Sequence, residues 1–362
     1  MEKSFVLRVN GGDDAFSYAN NSALQKFVMS KMLHVLEEAI EEMFVTKGFK
    51  KSFKFVDLGC ASGPNTLIAT FYVMETIKNI CRDGSLPQCE VYLNDLPNND
   101  YNNLFRMLPN FHQRMENCFI FGLPGSFYGR LLPNNSLHFA YSCYSLHWLS
   151  QIPERVGRRN KENICVARTS PREVIEAYAK QYHRDFMKFL KCRGEEMISG
   201  GKMVLAFIGR KTTDQSSKED TLGPLGLLGE TLSNMVDEGL VNKEYLYSFN
   251  VPAYAPSRKE VNKIIEQEGS FKIDKIEDFE LPWDANGYEH DNTKIVDRYI
   301  SGKLIAEGMR AFIEPMLVYH FRNSTINIDD LFNRYAQKVA NHIRFVGGTP
   351  SYDNLLLSLH RK

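Results

Sequence analysis

Two short runs carry acids where strands should end. Phe53-Lys54-Phe55-Val56-Asp57-Leu58 leads into Gly59-Cys60-Ala61-Ser62-Gly63-Pro64-Asn65, and Glu90-Val91-Tyr92-Leu93 leads into Asn94-Asp95-Leu96. The first reads as strand, turn and helix: a β-rich run, an acid, two glycines, then helical periodicity. Glycine lets the backbone approach a ligand closely, and a helix start offers unpaired N–H donors. Asp95 can accept hydrogen bonds from two ribose hydroxyls, and Asp57 can receive a cationic amine.

Spacing tests the phosphate readings of such a turn. A Walker loop needs Gly-x-x-x-x-Gly-Lys-Ser/Thr, whereas Gly59 and Gly63 are four apart with no lysine after them. A dinucleotide fingerprint needs Gly-x-Gly-x-x-Gly and an acid about 20 residues on. Here Pro64-Asn65 stands where the third glycine belongs, and the next strand-end acid, Asp95, comes later. An adenosine ligand without phosphates fits better. S-adenosylmethionine carries the amine, the ribose and a sulfonium. On pattern alone, a merely structural strand–turn–helix stays open beside it.

The elements that must position these residues follow from periodicity. Apolar residues at helical spacing over 23–44 (Leu24, Phe27, Val28, Met32, Leu36, Ile40, Met43) predict an amphipathic helix. Strands are expected at 50–58, 90–93, 117–122, 136–142, 202–208, 270–281 and 351–360. Helices are expected at 65–81, 100–106, 225–238, 257–268, 299–321 and 328–345. Ser170-Pro171-Arg172-Glu173 reads as a capping-box start with proline at the first helical position, for a helix that stops near Gly200-Gly201. Ser257-x-x-Glu260 reads as a second cap. Strands alternating with helices imply an α/β fold with a mostly parallel sheet of about seven strands covered on both faces. The expected organisation is an irregular arm over 1–22, either a surface tail or a lid, then a core over 23–210. Residues 269–281 and 351–362 complete that core, and 211–268 with 283–347 form a helical cap.

Composition bounds the alternatives. Lys+Arg and Asp+Glu are equal at 44 each, so no net positive field argues for nucleic acid or an anionic membrane. Seven cysteines without a Cys-x-x-Cys pair, and nine histidines without a His-Glu-x-x-His pair, disfavour zinc and a disulfide framework. No signal core or membrane-length apolar run is visible, so a cytoplasmic protein is expected. Gly125-Ser126 is not a nucleophile elbow, because Pro124 and Tyr128 stand where glycines are required. The aromatic series Tyr178, Tyr182, Phe186 and Phe189 reads as core packing.

Several motifs can be read together. The glycine turn, Asn94-Asp95-Leu96-Pro97-Asn98-Asn99-Asp100, Pro124-Gly125-Ser126-Phe127-Tyr128-Gly129 and Ser145-Leu146-His147-Trp148-Leu149-Ser150 resemble the plant SABATH methyltransferases. The likeness continues through Ser248-Phe249-Asn250-Val251-Pro252 and Arg310-Ala311-Phe312-Ile313-Glu314-Pro315, so it spans essentially the whole chain. That family includes salicylate, benzoate and jasmonate carboxyl methyltransferases and the xanthine N-methyltransferases of caffeine synthesis.

The resemblance implies S-adenosylmethionine as methyl donor, a Rossmann-like core with an α-helical cap, and a cytosolic homodimer. Carried over by motif position, the donor contacts Tyr18, Ser22, Asp57, Cys60, Asn65, Asp95, Leu96, Ser126 and Phe127. The acceptor meets Gln25, Tyr144, His147 and Trp148, with Leu225, Met309, Phe312 and Tyr352 around its body. Some relatives carry a magnesium site. Asn160, Phe249 and Asn250 match it, while Tyr247 stands where an aspartate would be.

The residue chemistry favours a carboxylate acceptor. A carboxylate is ionised at neutral pH and needs no general base. The Trp148 indole N–H and the Gln25 amide N–H are donors that can grip one carboxylate and aim an oxygen at the methyl. A xanthine ring nitrogen is the alternative acceptor. His147 is either a polar wall against the acceptor or a packed histidine orienting Trp148. Leu225 replaces a flat aromatic found in salicylate-type relatives, which reshapes the pocket.

Overall fold

A computed structural model describes residues 7–49, 51–81, 86–113, 115, 117–154, 156–212, 222–285, 297–324 and 326–362. Residues 213–221 and 286–296, within the segments expected to form the cap, lie outside the described residues. The described residues form one seven-stranded sheet: β1 Ser52–Leu58, β2 Gln88–Asp95, β3 Cys118–Pro124, β4 Leu137–Cys143, β5 Met197–Ile208, β6 Phe271–Pro282 and β7 Ser351–Arg361. Their order is β3-β2-β1-β4-β5-β7-β6. The first five run parallel, and β7 is antiparallel to both β5 and β6.

The chain steps outward from β1 through β2 to β3, then returns to place β4 on the other side of β1. That reversal opens a crevice at the carboxyl ends of β1 and β4, where open α/β sheets bind ligands. Strand burial follows position. Val56 to Leu58 and Lys202 to Ile208 are buried continuously, as central strands must be. Edge strand β6 alternates and carries Lys272, Asp274, Lys275, Glu277 and Asp278, charges that blunt an open edge.

On one face of the sheet, α1 (Ala23–Lys47) packs with α2 (Asn65–Ile80). Val28, Met32, Leu36, Ile40 and Met43 of α1 are buried, and the helix ends on Gly48 at φ 59°, a conformation glycine adopts without steric cost. The short helix α3 (Tyr101–His112) follows β2 and extends past the expected 106, with Pro109 inside it. On the opposite face α4 (Arg172–Glu196) lays Tyr178, Tyr182, Phe186 and Phe189 into a core of their own. Helices α5 (Gly223–Asp237), α6 (Lys243–Ser248), α8 (Arg298–His320) and α9 (Ile328–Val346) gather beside one another, α9 packing on both α5 and α8.

Three expectations are corrected. First, Ser170 does not cap α4: its hydroxyl accepts from Ala167 N–H at 3.0 Å and donates to Asn160 Oδ1 at 2.7 Å. Second, α4 ends at Glu196 and β5 begins at once, so Gly200 and Gly201 sit within the strand. Gly200 has φ 75°, a Cβ on Gly201 would stand 2.9 Å from the His138 carbonyl, and the β4–β5 register shifts nearby. The glycines serve a bulge, not a helix stop. Third, α7 (Arg258–Glu268) was expected in the cap but packs against α4 and β6. Its Val261, Ile264 and Ile265 join the α4 aromatic core. The Ser257–Glu260 capping box is present as expected.

Candidate active site

The crevice is built from four strand ends. After β1 the chain turns through Gly59 at φ 86°, where a Cβ would lie 2.1 Å from Ser145 Oγ. No other residue fits that approach. The N–H groups of Gly59 and Cys60 both donate to the Asn94 carbonyl at 2.9 Å, which locks the turn to the end of β2. Asp95 is fixed the same way: Oδ2 accepts from Ala61 N–H at 2.8 Å and Oδ1 from Leu96 N–H at 2.7 Å. One lone pair on each oxygen is left to meet a ligand hydroxyl.

Asp57 is buried and accepts from the Thr66 hydroxyl at 2.6 Å. Burial pushes its carboxyl up to about 7, the Thr66 hydrogen bond pulls it down, and the Asp95 charge adds to the rise. Burial likewise raises Asp95, against the pull of its two backbone donors. Among the described residues neither acid makes a salt bridge. One buried and one half-buried carboxylate without a counter-ion are costly unless a cation arrives.

The third and fourth strand ends complete the walls. Gly125 N–H donates to the Asp95 carbonyl at 2.8 Å, and Asn94 Nδ2 donates to the carbonyls of Leu123 and Gly125 at 2.7 and 2.9 Å. These bonds set the loop that presents Ser126 and Phe127. After β4, Tyr144 takes φ 60°, a strained value for a bulky residue, and its hydroxyl donates to Asn354 Oδ1 on β7 at 2.6 Å. Trp148 follows, its indole edge-on to Phe312 of α8 at 5.6 Å. His147 lies between Tyr144 and Trp148, and burial depresses its imidazole to about 3, so the ring is neutral. A neutral buried imidazole is no base at physiological pH.

Together these elements enclose a cavity of about 640 Å³. Of the residues expected at the site, Tyr18, Gln25, Asp95, Leu96, Ser126, Phe127, Tyr144, His147, Trp148, Phe312 and Tyr352 line it. Ser22, Asp57, Cys60 and Asn65 stand behind the lining; Asn65 Nδ2 donates to the Ser22 carbonyl and Oγ at 3.1 Å, tying the arm to α2. Leu225 and Met309 are buried in the core and are not among the residues that line the cavity. Sequence reasoning missed Leu7, Arg8, Val9, Leu24, Ser145, Ile208 and Met316. Met316 lies one helical turn from Phe312, so its spacing was a usable signal; the arm residues gave none.

Asn160, Phe249 and Asn250 come together away from this lining. Asn160 Oδ1 accepts from Ser170 Oγ at 2.7 Å, its Nδ2 donates to the Cys165 carbonyl at 2.9 Å and to Asn250 Oδ1 at 3.3 Å, and Asn250 Nδ2 donates to the Gly157 carbonyl at 2.8 Å. The amides satisfy one another, and no carboxylate stands among them. Among the described residues no group of three or more His, Cys, Asp or Glu could hold a metal. The set does not fit magnesium, a hard cation that takes carboxylate and water oxygens.

Sheet order, glycine turn and uncompensated acids at the strand reversal define an S-adenosylmethionine-dependent methyltransferase. The chain belongs to the family of SAM dependent carboxyl methyltransferases, which matches residues 4–362. It is 39% identical to the "Probable jasmonic acid carboxyl methyltransferase 1" of Theobroma cacao, covering 100% of each chain. It is 41% identical to the "Salicylate carboxymethyltransferase" of Clarkia breweri, covering 100% of this chain and 99% of that one. Among solved structures, "Loganic acid methyltransferase with SAH" superposes with a TM-score of 0.82 at 31% identity, over 98% of each chain.

Proposed function

We propose that this enzyme converts the carboxylate of a small plant acid, of the benzoate, salicylate or jasmonate kind, to its methyl ester. The observation that carries the reading is one cavity lined by the unneutralised acid Asp95, with the unneutralised Asp57 just behind its wall, and by the amide of Gln25 and the indole of Trp148. The acids suit a cationic donor and its ribose; the donors suit an anionic acceptor. The names of the relatives support an acid as acceptor.

The donor supplies an electrophilic methyl on a sulfonium, which moves to a carboxylate oxygen while the C–S electron pair stays on sulfur. The protein's share is placement. Gln25 and Trp148 both line the cavity, and the Gln25 amide oxygen is buried there without a hydrogen-bond partner, so both side chains face the space the acceptor would fill. No lysine or arginine is required to grip the carboxylate, and a full counter-ion would blunt the nucleophile. Holding two reactants in line can supply roughly 7–11 kcal/mol of the barrier. Ser22, Cys60 and Asn65 shape the donor cradle from behind, while Tyr144, His147, Phe312 and Tyr352 form the acceptor's walls.

The proposed organisation assigns donor binding to 23–210 with 269–281 and 351–362, and the acceptor's cover to α5, α6, α8 and α9. The arm is proposed as a lid. Supporting it, Asn10 N–H donates to the Ala311 carbonyl at 2.7 Å, and Gly12 N–H donates to Asp100 Oδ2 at 2.9 Å, so the arm spans from α8 to α3. A homodimer in the cytoplasm is proposed from the family resemblance. All seven cysteines are free thiols, and among the described residues no helix is long and apolar enough to cross a membrane.

One experiment decides the acceptor. Incubating the protein with methyl-labelled S-adenosylmethionine and a panel of benzoate, salicylate, jasmonate, anthranilate, indole-acetate and xanthines should give label only in base-labile esters. Label that survives base in a xanthine would replace the ester reading with ring N-methylation.

A further inference from the structure

A fully buried ion pair lies directly behind the cavity wall. Arg193 is 0% exposed and Glu196 1%, both at the last turn of α4. The guanidinium spends its fork on four acceptors. Nε donates to Glu196 Oε2 at 2.8 Å and Nη2 to Glu196 Oε1 at 2.9 Å; Nη1 donates to the Phe127 carbonyl at 2.9 Å and Nη2 to the Gly129 carbonyl at 2.8 Å. Glu196 Oε1 in turn accepts from Leu131 N–H at 2.6 Å and Leu132 N–H at 3.2 Å. One cation and one carboxylate thus hold the backbone of four residues in a single loop.

A buried pair of this kind adds little net stability, because desolvation offsets its Coulomb gain. Its geometry does something an apolar filler could not: a planar guanidinium fixes carbonyls on two successive bends at once. The loop so fixed faces both halves of the cavity. Ser126 and Phe127 line the donor side. The next residue, Tyr128, donates its hydroxyl to the Trp148 carbonyl at 2.6 Å, so the same loop also carries the acceptor side. Behind Phe127, the ring of Phe189 packs edge-on at 6.2 Å, and Arg193 lies over that ring at 5.5 Å.

We propose that Arg193 and Glu196 are positioning residues for methyl transfer, clamping the 125–132 loop so that Phe127 on the donor side and Trp148 on the acceptor side share one rigid frame. The inference rests on the assignment of the donor to this cavity and goes beyond it, since neither residue touches a ligand. A misplacement of about 1 Å in such a frame is enough to cost roughly a hundredfold in rate.

The test uses the full chain and reads S-adenosylhomocysteine affinity by calorimetry at a temperature well below melting. Arg193→Lys keeps the charge but cannot span both carbonyls and the carboxylate. It is expected to weaken S-adenosylhomocysteine binding about tenfold and to lower kcat as well. A role in packing alone would lower the melting temperature and leave the affinity of the folded protein unchanged, and that result overturns the proposal. Tyr128→Phe provides an independent arm if the lysine variant does not fold. It should lower kcat/KM for the acid about fivefold, with S-adenosylhomocysteine affinity held within about twofold; unaltered acceptor kinetics overturn the coupling of the loop to Trp148. Wild-type protein that binds S-adenosylhomocysteine yet methylates no acid sinks the acceptor reading and leaves the Arg193 arm decisive.

Discussion

Asp57 and Asp95 lie at the carboxyl ends of two adjacent parallel strands, and the charge on Asp95 adds to the cost of ionising Asp57. Asp57 pairs with Leu93 and Leu58 with Asn94, which puts the two acids two residues apart in register on neighbouring strands. Asp95 is steadied by two backbone donors, whereas Asp57 has Thr66. Asp57 is therefore the acid that titrates near neutrality, pushed up to about 7 by burial.

The sign of the pH effect follows. A cationic donor favours ionised Asp57, so binding releases a proton wherever the free protein holds one. Affinity for S-adenosylmethionine should rise with pH up to about 7 and level off above it. Below that point each pH unit should cost up to about tenfold. Thr66→Val removes the hydrogen bond that holds the carboxyl down, so the inflection should move to higher pH. Calorimetry across the range checks both statements, and a flat profile would remove Asp57 from the donor site.

Trp148→Phe keeps the edge-on ring contact with Phe312 and deletes one N–H donor. A hydrogen bond to a charged group contributes about 1.5–3 kcal/mol, so kcat/KM for the acid should fall roughly tenfold to hundredfold. S-adenosylhomocysteine affinity should barely move. Steady-state kinetics beside calorimetry separate the two; unchanged acceptor kinetics would leave the indole without its assigned role.

Gly59→Ala strikes the turn twice. The backbone sits at φ 86°, which costs a residue with a Cβ about 1–2 kcal/mol. The new methyl would also press on Ser145 Oγ at 2.1 Å. The variant should melt several degrees lower and lose donor binding. Adding Ser145→Gly should restore the packing share of the loss but not the backbone share, which a pair of thermal melts can resolve.

Asn10→Ala tests the arm. It removes the hydrogen bond from Asn10 Nδ2 to Glu314 Oε2 at 2.9 Å while leaving the backbone bond to Ala311 in place. KM for the acid should rise about fivefold, and limited proteolysis should cut the arm sooner. Equal cleavage rates and equal KM would return the arm to the status of a surface tail.

Much of the proposed donor side is legible in the sequence because it is local. Asp57, the glycine turn and Asp95 each belong to a short run whose strand end and chain reversal can be read from residue types. The proposed acceptor side is assembled across long separations: Phe312 and Tyr352 came only with the family resemblance and line the cavity, whereas Leu225 and Met309, carried over with them, are buried in the core and do not line it. Local signals also misled where tertiary bonds outbid them. Ser170 had the spacing of a cap but turned to Asn160, and Gly200-Gly201 looked like a helix stop but makes a bulge in β5. The Arg193 clamp was illegible, because its carbonyl partners lie some 65 residues upstream with no periodicity to link them.

The strand reversal between β1 and β4 has an evolutionary consequence. In the proposed assignment the donor rests on short motifs that follow β1, β2 and β3, whereas much of the acceptor's wall comes from α8 and β7, more than a hundred residues downstream. Substitutions in Phe312, Met316 or Tyr352 can therefore explore new acids while the inherited chemistry stays intact, and distant changes of that kind combine nearly independently. The exception is the Tyr128–Trp148 hydrogen bond, the seam where a change of diet and a change of engine would have to be made together.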